Sequence, residues 1–415
     1  MPIIERRFLA LFLALFAVFI LFGTSITIIG ATLPKILADF HWSYFVAGVV
    51  IGAGAVAYFA SSFAAGYLIK YRGPKPTIML GLLFEVVGLT FFAAVPDPFA
   101  NMLLSALIGL GQGCIEVGVN SSTLRIDPHN TGRPMNLMHG AFAVGAILGP
   151  LAVGILMQSG LSWILVYRGM ALIFVLLVVT TWFIPLPKIT HKATDGGAAP
   201  ERLSANPAYW LSFIALFLYV GVELGVSNWV AEYFVSAFAY SAAAGALLVS
   251  LFWAGLLAGR FGVPLLYKGS RQDVVLVGFA TLATVSIAVL TLLGFISATP
   301  LSISIAQGFV FLAGLGCSIY YPVVMTLLGK CFPHASSQAI GFAATGGGIG
   351  AFLFPFVMSA IAQNWGIRAG FATYGMFAIA MTVAAYWLAS IAERGKPPVA
   401  GKLAAAPASP TRIAD

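Results

Sequence analysis

The chain has 415 residues, 60% of them apolar and 8% charged, where soluble domains average about 45–50% apolar and about 25% charged. No soluble fold of this size hides that much apolar surface, so lipid is the solvent for most of the chain. The formal net charge of +8 comes from bases scattered through short loops, which argues against nucleic-acid binding and for membrane topology.

Twelve apolar segments reach the roughly 20 residues a membrane crossing needs. They run over about 8–33, 43–69, 75–95, 99–124, 133–158, 162–185, 207–232, 240–267, 272–297, 300–328, 335–363 and 367–391. In lipid only helices and closed barrels satisfy their own backbone. These runs are apolar on all sides and do not alternate, so the expected fold is an all-α membrane protein. The first run follows Arg6 and Arg7 but is too long for a cleaved signal and reads as a retained span.

Most bases, among them Arg6, Lys70, Arg125, Lys188, Lys268, Lys330 and Arg394, fall at one face; the opposite loops hold essentially Lys35, Arg168 and Arg368. The positive-inside rule makes both termini cytoplasmic. The expected location is a cell membrane of the bacterial inner-membrane kind. The longest loop, over 186–206, carries Gly-Gly-Ala-Ala-Pro and reads as a cytoplasmic linker. The expected organisation is a six-helix bundle over 1–185, that linker, a second bundle over 207–391, and a disordered tail over 392–415. Cys114, Cys317 and Cys331 are too few and too far apart for a disulfide framework or a zinc site.

A glycine frame supports the two bundles. Gly140, Gly145 and Gly149 recur 201 residues later as Gly341, Gly346 and Gly350. A Trp and an Arg follow each copy: Trp163 and Arg168, then Trp365 and Arg368. Repeats of this kind build secondary transporters, with the substrate site between them near the bilayer midplane.

Ionisable groups inside spans are costly and mark pathways or relays. Four stand well inside: Glu85, Glu116, His139 and Glu223. Gln112, Glu116 and Asn120 are spaced four apart, on one helix face, and are expected to line a hydrophilic cavity. Glu116 in such a cavity suits a proton acceptor and donor. Asn136 and His139 open the fifth segment, at the face where the fourth ends. Glu223 lies mid-span in the seventh segment, followed by Ser227, Asn228 and Trp229. Glu85 stands alone among Leu, Phe and Val and reads as structural. The tenth segment holds Gln307 and then Gly316-Cys-Ser318-Ile-Tyr320-Tyr321-Pro322. Its proline frees a carbonyl, and its tyrosines pair apolar faces with polar tips. Sugars need that combination: rings for C–H groups, and Glu, Asn and Gln for hydroxyls.

The loop Gly66-Tyr-Leu-Ile-Lys70-Tyr-Arg72-Gly-Pro-Lys75 resembles the cytoplasmic signature of the major facilitator superfamily, Gly-x-Leu-x-Asp-Arg-x-Gly-Arg-Lys, with Lys70 at the Asp position and the Arg one place late. By that resemblance Gly66, Arg72 and Lys75 belong to a cytoplasmic gate. Within the superfamily the chain is similar to the fucose–galactose–proton symporter family. The matching stretches are Gly113-Cys-Ile-Glu116 with Asn120, Arg133-Pro-Met-Asn136-Leu, Phe217-Leu-Tyr-Val-Gly221, Ser318-Ile-Tyr-Tyr-Pro322 and Gly346-Gly-Gly-Ile349. The resemblance implies that Glu116 is the membrane-embedded proton-linked carboxylate. The chain departs from the family at Gly30, where an Asp is expected four residues before Pro34, at Phe142 for a sugar-contacting Asn, and at Glu223 for a Gln.

The function expected is proton-coupled import of a monosaccharide, hexose or deoxyhexose, by alternating access. Glu116, Glu223 and His139 would handle the proton. Gln112, Glu116, Asn120, Asn136, His139, Glu223, Asn228, Trp229, Gln307, Tyr320 and Tyr321 would line the substrate site. No cofactor or metal is expected beyond the proton gradient, with sodium as the alternative coupling ion. The expected partners are a small sugar-like molecule and the lipid bilayer, for a protein acting as a monomer. The rival function is proton-driven efflux of hydrophobic drugs or lipids, since Gly145-x-x-x-Gly149-Pro150-x-x-x-Gly154 resembles part of an antiporter signature. No His-Glu-x-x-His, paired catalytic Asp or phosphate loop suggests an enzyme.

Overall fold

The computed structural model describes residues 4–126, 133–185, 203–267, 271–332 and 336–394. The expected linker before Leu203 and the tail beyond Arg394 lie outside these residues. Apart from two short 3-10 turns at Arg6–Phe8 and Leu203–Ala205, the elements are α-helices. They are α1 Leu9–Phe40, α2 Tyr44–Arg72, α3 Pro74–Phe91, α4 Pro98–Arg125, α5 Arg133–Gln158, α6 Trp163–Phe183, α7 Pro207–Phe238, α8 Ala242–Leu266, α9 Gln272–Leu293, α10 Pro300–Cys317, α11 Tyr320–Cys331 and α12 Ser336–Arg394. Among the described residues, eleven helical stretches are long and apolar enough to cross a membrane. The protein is an all-α, multi-pass membrane fold.

Local chemistry sets many of the boundaries. Ser43, Asp97, Ser162, Asn206, Ser241 and Thr299 each accept a bond from a first-turn N–H through the side chain. Pro74, Pro98, Pro207 and Pro300 start their helices, where a missing N–H costs nothing.

The structure differs from the expected segments in two places. The segments over 335–363 and 367–391 run together as α12, interrupted inside by Gly366 at φ 82° and ψ 163°. Only glycine takes that conformation cheaply, so the chain bends there without a loop. Conversely, the single segment over 300–328 is split into α10 and α11 at Ser318–Ile319. Pro322 has no N–H to give the carbonyl of Ser318, one turn back, and the helix ladder is interrupted there.

Packing follows the sequence repeat. In the first half α1 lies on α5, α2 on α4, and α3 on α4 and α6; in the second, α7 lies on α12, α8 on α10, and α9 on α10 and α12. Gly145, Gly346 and Gly350 of the glycine frame make close approaches of this kind, as do Gly109 against α2 and Gly314 against α8. A Cβ on Gly145 would strike the Ile20 carbonyl of α1, and a Cβ on Gly346 or Gly350 the Phe213 or Phe217 carbonyl of α7. Thr24 then donates to the Gly145 carbonyl at 3.0 Å. Such backbone-to-backbone seams are how helices associate when lipid removes the hydrophobic drive between them.

Between the halves, α2 meets α12, α5 meets α8, and α1 meets α7 and α8. Many of these contacts lie at the end of the molecule away from the N-terminus. Gly30 abuts Ser227, Gly48 abuts Ser359, and Gly154 abuts Leu247. Phe45 meets Phe356 edge-on with centroids 5.5 Å apart, and Tyr44 donates to Glu232 at 3.1 Å.

Gly145→Ala is expected to lower stability by about 1–3 kcal/mol, the ordinary cost of overpacking, read as a fall in melting temperature in detergent. Gly308→Ala, whose Cβ would meet nothing within 4 Å, should leave the melting temperature unchanged or slightly higher.

Candidate functional site

The polar groups of α4 reach three different surroundings. Gln112 donates to Ser25 Oγ at 3.0 Å, and Ser25 donates to both carboxylate oxygens of Glu85 at 3.0 Å. Glu85 is fully buried, so this chain ties α1, α3 and α4 together and fits the structural reading of Glu85. One turn along, Glu116 accepts from the Tyr58 hydroxyl of α2 at 2.5 Å. No ion pair reaches Glu116 among the described residues. A further turn along, Asn120 Oδ1 is buried without a hydrogen-bond partner.

Across from these stands a group the sequence reading did not include. Arg260 lies in α8, and its Nη2 is 3.7 Å from Glu223 Oε1 of α7, with the side chains 25% and 8% exposed. Its Nε donates to the Ser318 carbonyl at 3.4 Å, the carbonyl that Pro322 leaves without a backbone donor. Arg260 went unnoticed because it sits near the end of an apolar run, where a base reads as a topology signal. One signal was available: Trp253 is seven residues earlier, on the same helix face, and the structure turns that face inward. Its indole donates to Ser227 at 2.8 Å. Glu232 was missed as well. It is buried near the end of α7, accepting from Ser236 at 2.6 Å and from Tyr44 of the other half. The expectation of four ionisable groups inside the spans is therefore corrected to include Arg260 and Glu232.

Tyr321, at the start of α11, places an open side chain beside these groups. It keeps 37% of its surface, yet the charges of Glu116, Glu223 and Arg260 all act on its hydroxyl. An exposed side chain among groups from α4, α7 and α8 lines an interior space. His139 adds to the lining. It is exposed, its ring meets Phe19 edge-on at 6.2 Å, and the Arg260 charge acts on it. Phe142, Trp253 and Phe22 form an aromatic chain beside it, with centroids 5.6 and 5.2 Å apart.

The remaining candidates fall elsewhere. Tyr320 is buried, stacked on Tyr219 at 5.0 Å and donating to the Met381 carbonyl at 3.0 Å, so it packs rather than lines. Trp229 is also buried, against Tyr44. Asn228 is half-buried, with its backbone against Gly30. Gln307 donates to Tyr240 at 2.8 Å, eleven residues from Ser318, or about 16 Å along a helix. The side chain of Asn136 lies outside the described residues. Of the gate residues, Gly66 and Arg72 are exposed at the end of α2. Lys75 donates to the Trp182 and Ile184 carbonyls at 2.7 and 3.0 Å, capping α6. The repeated arginines also serve helix ends: Arg168 binds the Leu89 and Phe92 carbonyls, and Arg368 the Ala237 carbonyl. Among the described residues, no three His, Cys, Asp or Glu side chains are grouped to hold a metal.

The sequence matches the family model described as Major Facilitator Superfamily over residues 15–311 and 268–414. It is similar to Bypass of stop codon protein 6 of Saccharomyces cerevisiae, 24% identical over 86% of this chain and 78% of the other. It is 22% identical to a TsgA homolog of Yersinia enterocolitica over 75% of this chain and 78% of the other. Among solved structures, the nucleoside transporter NupG superposes with a TM-score of 0.76 at 15% identity, covering 92% of this chain and 100% of that one. A D-xylose–proton symporter gives 0.73 at 14% identity, covering 91% and 96%. The E. coli fucose–proton symporter FucP gives 0.58 at 21% identity, covering 92% and 99%. At these identities the structures speak for a shared fold.

Removing one member of the Glu223–Arg260 pair leaves a charge unpaired. Arg260→Gln and Glu223→Gln are each expected to cost up to about 3 kcal/mol, the low end for a buried pair because the cavity hydrates Arg260. The double variant should cost less than the sum of the two. Denaturant melts of the purified protein in detergent test this; strict additivity would show that the two groups do not interact.

Proposed function

The chain belongs to the major facilitator superfamily, and from that premise we propose that it is a proton-coupled importer of a monosaccharide. It works by alternating access between two six-helix bundles. The first comprises α1–α6. The second comprises α7–α12, with α10 and α11 as one broken crossing and Gly366 dividing α12 into the last two. Twelve crossings put both termini on one side, and the excess of bases there makes that side cytoplasmic. The resting location is a bacterial inner membrane, and the protein functions as a monomer.

One observation carries the reading: half-buried Glu116 has a tyrosine hydroxyl and, among the described residues, no cation as its partner. A carboxylate deep in the membrane must be neutralised, hydrated or paired. Here a proton supplies the neutralisation, and its gain or loss changes the charge of the cavity. Glu116 is protonated from the outside, sugar binds between the halves, and the loaded cavity tolerates the rocking step. On the cytoplasmic side the proton leaves to water. Tyr58 holds the carboxyl group in both states, since its hydroxyl can donate to a carboxylate or accept from a carboxylic acid.

The lining supports a sugar over a hydrophobic drug. Gln112, Asn120, His139, Glu223 and Tyr321 offer donors and acceptors beside aromatic faces, where a drug exporter wants a greasier wall. Two similar folds belong to proteins whose names state sugar–proton symport. NupG, a nucleoside transporter, handles a ligand that also carries a sugar ring.

Glu116→Gln is expected to retain counterflow of labelled sugar in proteoliposomes and to lose accumulation driven by a pH gradient. Glu85→Gln, which can still accept from Ser25, should retain both. Counterflow lost in Glu116→Gln would make Glu116 a substrate ligand. Accumulation preserved there would place the coupling proton elsewhere.

A further inference from the structure

The gap between Glu223 and Arg260 is itself informative. At 3.7 Å the two charges are paired but too far apart for a hydrogen bond. Among the described residues, Glu223 Oε1 is buried and has no hydrogen-bond partner. Tyr219, one turn earlier, brings its hydroxyl close to the carboxylate, but outside good hydrogen-bond geometry, so neither Tyr219 Oη nor Glu223 Oε1 is satisfied among the described residues. Arg260 has five N–H donors in a rigid fork, and one of them, Nε, makes a hydrogen bond, a long one. Buried polar groups normally find partners. This pair holds acceptor capacity on one side and donor capacity on the other, at the edge of the cavity that Tyr321 and His139 line.

We propose that Glu223 and Arg260 form a clamp for adjacent hydroxyls of an uncharged polyol, and that Arg260 is thereby a specificity-determining residue. The inference rests on the sugar-carrier reading above and names the chemical class that reading left open. A carboxylate only accepts and a guanidinium only donates, whereas a hydroxyl does both. A diol laid across the open edge of the pair donates to the Glu223 carboxylate through one oxygen and accepts from a free Arg260 N–H through the next. Both protein groups are then satisfied and no net charge is added. An acidic sugar would bind the Arg260 fork well, but would set a second anion against Glu223 in a low-dielectric site. An amino sugar would meet the reverse penalty from Arg260. The charge balance of the pair therefore selects neutral ligands, and Tyr321 supplies an exposed aromatic face for their C–H groups.

The test is counterflow in proteoliposomes with labelled glucose, galactose, mannose and fucose, then with the monodeoxy analogues of whichever exchanges, and with glucuronate, galacturonate and glucosamine as competitors. Wild type, Arg260→Gln and the double variant Arg260→Gln/Glu223→Gln are compared. The double variant keeps the site neutral if the single one folds poorly. In wild type, loss of one or two adjacent hydroxyls should raise KM about tenfold or more. In Arg260→Gln the penalty for the hydroxyl that Arg260 binds should shrink while that for the hydroxyl that Glu223 binds remains, and in the double variant both should shrink. The charged sugars should compete poorly with wild type. Equal deoxy penalties in all three proteins would make Arg260 a merely structural partner of Glu223. A wild type that prefers a uronate would make Arg260 a carboxylate receptor instead. Either result sinks the clamp while leaving a sugar carrier. Exchange of no sugar at all would remove the sugar-carrier reading and the clamp with it.

Discussion

A charge in the middle of a lipid-surrounded protein has to be paired, hydrated or neutralised, and the interior of this molecule is organised by that requirement. Each inward ionisable group meets it differently. Glu85 takes a serine hydroxyl, Glu223 a guanidinium, Glu232 two hydroxyls from opposite halves, and Glu116 a tyrosine hydroxyl. These solutions are graded by access. The most enclosed group is tied down within one half of the chain, and the groups nearer the cavity keep some bonding capacity in reserve. That reserve is what a transported molecule can use.

The helices that carry these groups are positioned by close backbone seams. Gly145 brings α5 onto α1, and Gly346 with Gly350 brings α12 onto α7, so each half is held as a body by contacts without long side chains. The contacts between halves add side chains to such seams, as at Gly30 against Ser227. Tyr44 with Glu232, Phe45 with Phe356, and Gly48 against Ser359 are local and gather away from the N-terminal end. The halves meet along α2 with α12, α5 with α8, and α1 with α7 and α8, and these are the seams that rocking around a central site would have to open and close.

Much of this was legible in the sequence. Composition alone required lipid and helices. The glycine frame pointed to close helix approach, which Gly145, Gly346 and Gly350 make, because small residues at fixed spacing have few uses other than close approach. Glu116 and Tyr321 stood out because polar residues are rare in apolar runs. What was not legible depended on pairing across helices. Arg260 sat where a loop base would sit, and only its distance to Glu223 gives it a place inside. Tyr320 and Trp229 looked like platform residues next to Tyr321 and Asn228, but a helix turns by 100° per residue, and that step carries them into packing. The break at Ser318 and the continuity through Gly366 are also tertiary outcomes. A proline or a glycine permits a bend, and the neighbouring helices decide whether the chain separates or continues.

The central claim is that proton movement and sugar movement share one cavity. The most direct measurement is external pH in weakly buffered proteoliposomes when an exchanged sugar is added outside, with sodium present and absent. The account predicts alkalinisation of the outside medium on sugar addition, independent of sodium. Sugar uptake without any proton movement, or uptake that requires sodium, would contradict it.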